Sequence, residues 1–111
     1  MHKISESEEN LIIYVSGELD HHTASNLREE VDEILSGNIQ NIIFEFSSLV
    51  FMDSSGIGFI MGRYKKIANK GGEVIIVNPT PQVKRILEMS GILTIIKIVP
   101  DVKKALKILK R

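Results

Sequence analysis

The feature that most constrains this chain is a repeated change of period. Three short, β-rich apolar runs, Leu11-Ile12-Ile13-Tyr14-Val15, Ile42-Ile43-Phe44-Glu45-Phe46 and Val74-Ile75-Ile76-Val77, are each followed by a longer segment with apolar residues at helical spacing. In the first such segment the stripe is Ala24, Leu27, Val31, Ile34 and Leu35, with Arg28, Glu29, Glu30, Asp32 and Glu33 on the side expected to face water. In the second, positions 57, 60, 61, 64, 67 and 68 share one face, and in the third Val83, Ile86, Leu87 and Ser90 do. A fourth run, Ile95-Ile96-Lys97-Ile98-Val99, is interrupted by lysine and is expected at a sheet edge. A final helix would turn Val102, Ala105, Leu106 and Leu109 inward and Lys103, Lys104, Lys107 and Lys110 outward. Mostly continuous apolar strands imply burial on both faces, as in a parallel sheet. Right-handed crossovers between them give an α/β fold, a mainly parallel sheet of roughly four to five strands packed with about four helices. An extra strand around Ile4, paired through a turn at Glu8-Glu9-Asn10, would lengthen the sheet.

The punctuation between these segments agrees with that order. Ser16-Gly17 stops the first strand, and Gly17-Glu18-Leu19-Asp20-His21-His22 reads as a polar break with Thr23 as cap of the first helix, which ends at Gly37. Asn69-Lys70-Gly71-Gly72 suits a left-handed helix C-cap. Thr80-Pro81 is a cap followed by proline at the first helical position, Gly91 is a stop, and Asp101 caps the last helix. With 111 residues, 43% hydrophobic and 25% charged, the composition suits one folded domain, expected over residues 1–111.

Charge and composition exclude several functions. Fourteen basic and fourteen acidic residues cancel, so nothing favours direct nucleic-acid binding or an anionic membrane surface. The absence of cysteine removes disulfides, thiol nucleophiles and cysteine-bound metals. No apolar run reaches a membrane span, and the polar, acidic first ten residues do not read as a secretory signal, so a cytoplasmic location is expected.

The stretch that carries chemistry is Phe51-Met52-Asp53-Ser54-Ser55-Gly56-Ile57-Gly58. Asp53, Ser54 and Ser55 are residue types that cap helices, so two hydroxyls fall at or beside a helix N-terminus, where N–H groups and the macrodipole favour an anion. Either hydroxyl could become a phosphate without breaking the helix it begins. Gly56, Gly58 and Gly62 do not make a phosphate loop, since Gly62 is followed by Arg63-Tyr64 and not by lysine with serine or threonine. Nor do they match the dinucleotide fingerprint, whose last glycines are closer together and whose next strand ends in an acid, whereas this one ends in Asn78. Gly58 and Gly62, four apart on one helical face, instead let the helix approach the sheet or a partner. No G-x-S-x-G elbow surrounds the serines. Asp20, His21 and His22 diverge as neighbours, with no later His or Cys to complete a metal site. Phe59 lies off the apolar stripe beside Arg63 and Lys66, an aromatic next to arginine that signals either an interface or packing under a loop. Arg63, Lys65 and Lys66 late in the helix read as a solvated basic face.

These residues together resemble the signature of bacterial anti-sigma factor antagonists, the stand-alone STAS domains. The likeness rests on 51–58 with Gly62-Arg63-Tyr64-Lys65 after it. It also rests on Gly17-Glu18-Leu19-Asp20-His21-His22-Thr23-Ala24, similar to the first loop of the sporulation member, and on Val83-Lys84-Arg85 through Met89-Ser90-Gly91. The resemblance spans nearly the whole chain. It implies a switch and not an enzyme, with no cofactor and no metal. The unphosphorylated antagonist binds an anti-sigma factor, which then releases its sigma factor. The anti-sigma factor is also a serine kinase that phosphorylates the antagonist, and a PP2C-type serine phosphatase reverses the step. The family's target is the first hydroxyl after the aspartate, here Ser54, and its kinase-contacting loop aspartate corresponds to Asp20. The partner surface so implied comprises Asp20, Asp53, Ser54, Ser55, Gly56, Phe59 and Arg63, on an exposed helix start. Two alternatives remain at this point: a STAS scaffold subunit of another signalling assembly, and a small α/β nucleotide-binding enzyme that uses the same serines.

Overall fold

The computed structural model describes residues 1–110. In chain order the elements are β1 (His2–Ser7), β2 (Asn10–Val15), β3 (Gly17–Leu19), α1 (His21–Leu35), β4 (Asn41–Glu45), β5 (Leu49–Met52), α2 (Ser54–Asn69), β6 (Val74–Val77), α3 (Pro81–Ser90), β7 (Lys97–Val99) and α4 (Val102–Leu109). Five strands form the main sheet in the order β1-β2-β4-β6-β7. The first pair is antiparallel and the other three are parallel. The hairpin expected at the N-terminus is present, with Ser7 opposite Asn10 across Glu8-Glu9. Glu8 takes φ 58°, the positive value that a two-residue hairpin turn asks of its first central position.

Alternate side chains of the central strands go to opposite faces, so both faces are covered. Leu11, Ile13, Ile42, Phe44, Val74 and Ile76 join the larger core with Leu27 and Val31 of α1, Ile60 and Ile67 of α2, and Val83 and Leu87 of α3. Ile12, Ile43, Ile75 and Val77 form the second core with Val99 and Ala105, against which Leu106 and Leu109 of α4 pack. Three helices therefore cover one face and α4 the other. The stop after α2 is the glycine turn that the sequence suggests. Gly71 takes φ 80°, and the Gly71 and Gly72 N–H groups donate to Ala68 and Ile67 carbonyls at 2.9 and 3.0 Å.

The structure corrects several local expectations. Residues 17–19, expected within a polar break, form β3, which pairs in parallel with β5 as a separate two-stranded sheet. The cap of α1 is Asp20, not Thr23, and the helix closes at Ser36, just before Gly37. Ile95 and Ile96 lie outside the last strand, because Gly91 turns at φ 82° into a single 3-10 turn over Ile92–Thr94 and pairing begins only at Lys97. As expected, that strand is an edge. Ser90 does not face the core. It is exposed, and its hydroxyl donates back to the Leu87 carbonyl at 2.7 Å. No helix of the described residues is long and apolar enough to cross a membrane.

Candidate functional site

The pairing of β3 with β5 builds the site. Leu19 stands opposite Met52 in the parallel register, so the next residues, Asp20 and Asp53, leave the two strands side by side. Each is the N-cap of the helix that follows, so α1 and α2 start next to one another on one rim. At α1 the cap is reciprocal. The Thr23 N–H donates to Asp20 Oδ1 at 3.0 Å, and the Asp20 N–H donates to Thr23 Oγ1 at 2.9 Å. These contacts, first the Thr23 N–H and then its hydroxyl, hold the Asp20 carboxyl below its usual value of 3.8. At α2 the Asp53 carboxylate accepts from the Ser55 N–H at 2.9 Å and more weakly from the Gly56 N–H at 3.4 Å.

Gly56 locks the two helix starts together. A β-carbon there would lie 2.8 Å from the Leu19 carbonyl oxygen, with Met52 and the Leu19 side chain also in the way. Only glycine lets the first turn of α2 approach the end of β3 this closely. It is buried, so its part in the site is to bring the loops of Asp20 and Ser54 together, not to offer a side chain. Ser54, the first helical residue, is exposed, whereas Ser55 is half-buried. The helix start does not offer its full set of free donors to an anion, as the sequence suggested. Asp53 already takes two of the first-turn N–H groups, so a group added to the Ser54 hydroxyl would remain facing solvent.

Phe59 and Arg63 depart from expectation. Both are buried, at 4% and 5% exposure, and not on an open face. The cause is that α2 packs on two sides. Ile60 and Ile67 face the sheet, while the face bearing Phe59 and Arg63 turns toward α1. Phe59 meets Phe44 edge-on at 5.8 Å between centroids, and the Arg63 guanidinium lies 5.1 Å over the Phe59 ring. Arg63 is thus no part of a solvated basic face, and Asp32, expected in water, comes within 3.0 Å of its Nε. Burial pushes the Arg63 pKa down, Asp32 opposes that, and Arg28 adds to it. An arginine nonetheless stays charged throughout the ordinary range.

Above these residues α1 and α2 leave a groove of about 400 Å³, lined by His21, Ala24, Ser25 and Arg28 on one side and Ser55, Gly58, Phe59, Gly62 and Arg63 on the other. Gly58 and Gly62 do not bring α2 closer to the sheet, because a β-carbon on either would meet nothing within 4 Å. Each weakens the helix by about 1 kcal/mol relative to alanine. Sequence reasoning missed Arg28 and Asp32 as members of this region. Their spacing with His21, Ala24 and Ser25 is helical and would have grouped them, but their charge placed them in solvent. Among the described residues no group of three His, Cys, Asp or Glu side chains is placed to hold a metal ion.

A five-stranded, mostly parallel sheet with a small β3–β5 sheet beside it, whose rim presents an exposed serine just after the Asp53 cap, defines a recognisable class. Residues 2–105 match the model of the STAS domain. The chain is 46% identical over 89 residues to the anti-sigma F factor antagonist of Paenibacillus polymyxa, covering 79% of this chain and 76% of that one. Its fold superposes on the anti-sigma factor antagonist SpoIIAA in its unphosphorylated form with a TM-score of 0.87 at 30% identity, over 96% of this chain and 93% of the other. The Bacillus cell fate determinant SpoIIAA in its phosphorylated form gives a TM-score of 0.81 at 28% identity, over 99% and 100% of the two chains. The chain belongs to the STAS domain family and, within it, to the anti-sigma factor antagonists.

Proposed function

We propose that this chain is a cytoplasmic, phosphorylation-controlled protein switch that works by binding and not by turnover. Unphosphorylated, it holds an anti-sigma factor that is also a serine kinase, and the sigma factor is released. The kinase modifies Ser54, and a PP2C-type serine phosphatase restores it. The observation that carries this reading is the placement of an exposed Ser54 at the start of α2, directly beside the Asp20 cap of α1. The surface around it includes Asp53 and the half-buried Ser55, with Gly56, Phe59 and Arg63 supporting it from beneath.

Electrostatics supply the switch. A phosphoserine carries about −1.5 to −2 charges near neutrality. Asp53 both repels it and occupies the Ser55 and Gly56 donors that would otherwise receive it. In the free protein water solvates the phosphate. In a docked interface without a basic pocket opposite, burying it costs at least several kcal/mol. A loss of about 3 kcal/mol already weakens binding more than a hundredfold. The test is incubation with ATP and the cognate anti-sigma factor, read by intact mass and by calorimetry. The chain should gain one phosphate only when that kinase is present. Ser54→Ala should gain none and bind permanently, and Ser54→Asp, with about one charge, should imitate the phosphorylated form in part. Modification of Ser54→Ala, or ATP turnover by the chain alone, would refute the reading.

A further inference from the structure

The groove between α1 and α2 is not explained by packing within the chain. Gly58 and Gly62 belong to its α2 wall, yet no atom within 4 Å stands where their side chains would be. Glycine at two interior helix positions is unfavourable unless another backbone must come close. A second observation points to what approaches. Arg63 is 5% exposed, and although its Nε lies 3.0 Å from Asp32 Oδ1, neither atom is aligned for a hydrogen bond. Its Nη1 is buried and has no acceptor among the described residues. A buried guanidinium donor left without an acceptor is rare in a complete structure. Arg28 lines the same groove. The groove lining itself carries no carboxylate, so Arg28 and Arg63 are its only fixed charges and suit a partner carboxylate. The groove also continues the proposed binding rim, because His21, next to Asp20, and Ser55, next to Ser54, are among its walls.

We infer that this groove receives an acidic segment of the anti-sigma factor, its backbone lying against Gly58 and Gly62 and one of its carboxylates held by Arg63 and Arg28. This inference rests on the function proposed above and extends the docking surface from the rim along the two helices. A β-carbon at Gly62 meets open space in the free chain, so alanine strengthens the helix and intrudes only when the partner is bound.

The test is calorimetric titration of the full chain with its cognate anti-sigma factor, at low and high salt. Gly62→Ala should unfold at a higher temperature than the parent chain and yet bind about tenfold more weakly or worse, the effect of one methyl forced into a close contact. Arg28→Gln should bind more weakly at low salt and lose part of the salt dependence. If the parent chain binds and Gly62→Ala binds equally well, the groove is not a docking site, and the proposed function stands without it. Unchanged affinity and salt dependence in Arg28→Gln would overturn the carboxylate contact. If the parent chain fails to bind, the functional reading falls and this inference with it. Sedimentation of the chain alone closes the remaining case, since self-association abolished by Gly62→Ala would assign the groove to a second copy and overturn the inference.

Discussion

Asp20 has two roles that an alanine substitution would confuse. It begins α1 through the reciprocal bonds with Thr23, and it stands on the proposed docking rim beside Ser54. Replacement by alanine removes the cap and the charge together. Asp20→Asn keeps an accepting oxygen at the cap and removes only the charge. Because the folded state holds the Asp20 carboxyl below 3.8, its contribution to stability is present above that pH and is lost as pH falls through the lower folded value. Acid unfolding of Asp20→Asn should therefore lose less stability below pH 3.8 than the parent chain, as followed by circular dichroism. Superimposable acid transitions would show that the charge plays no part in the cap. Asp20→Asn should also bind the anti-sigma factor more weakly while remaining folded at neutral pH, and undiminished binding would remove Asp20 from the surface.

Among the elements, those governed by local chemistry were legible in the sequence. Thr80-Pro81, Gly71-Gly72, Gly91 and Asp101 all mark the helix ends they suggest, because a cap depends on residues only a few positions apart. The strands β3 and β5 were not legible. They are three and four residues long, and each exists only through a partner some thirty positions away, a pairing that no short window contains. Phe59 and Arg63 were misplaced for a related reason. A single apolar stripe assumes one buried helix face, whereas α2 lies against both the sheet and α1. The tightest of these contacts is Gly56 against the Leu19 carbonyl, which is backbone and cannot swing aside. Gly56→Ala should therefore destabilise the protein by about 1–3 kcal/mol in urea unfolding, and should move the amide signals of Leu19 and Asp20 across the contact. A stable variant with those signals unmoved would mean that the two helix starts are not coupled through this glycine.

At the scale of the whole molecule, the uninterrupted apolar strands foretold a sheet covered on both faces, and the split into two cores realises it. That architecture keeps Ser54 on the rim, apart from α4 and its core on the opposite face. A charge added at an exposed first-turn residue leaves both cores undisturbed, so the chain should be switched at its surface while its fold stays as it is. Comparison of backbone amide chemical shifts between the unphosphorylated chain and the chain phosphorylated on Ser54 tests this most directly. Changes should be confined to residues 19–23 and 52–58 and their immediate contacts. Shifts running through β1, β7 and α4 would contradict switching at the surface, because the phosphate would then act by rearranging the fold and not by obstructing the partner.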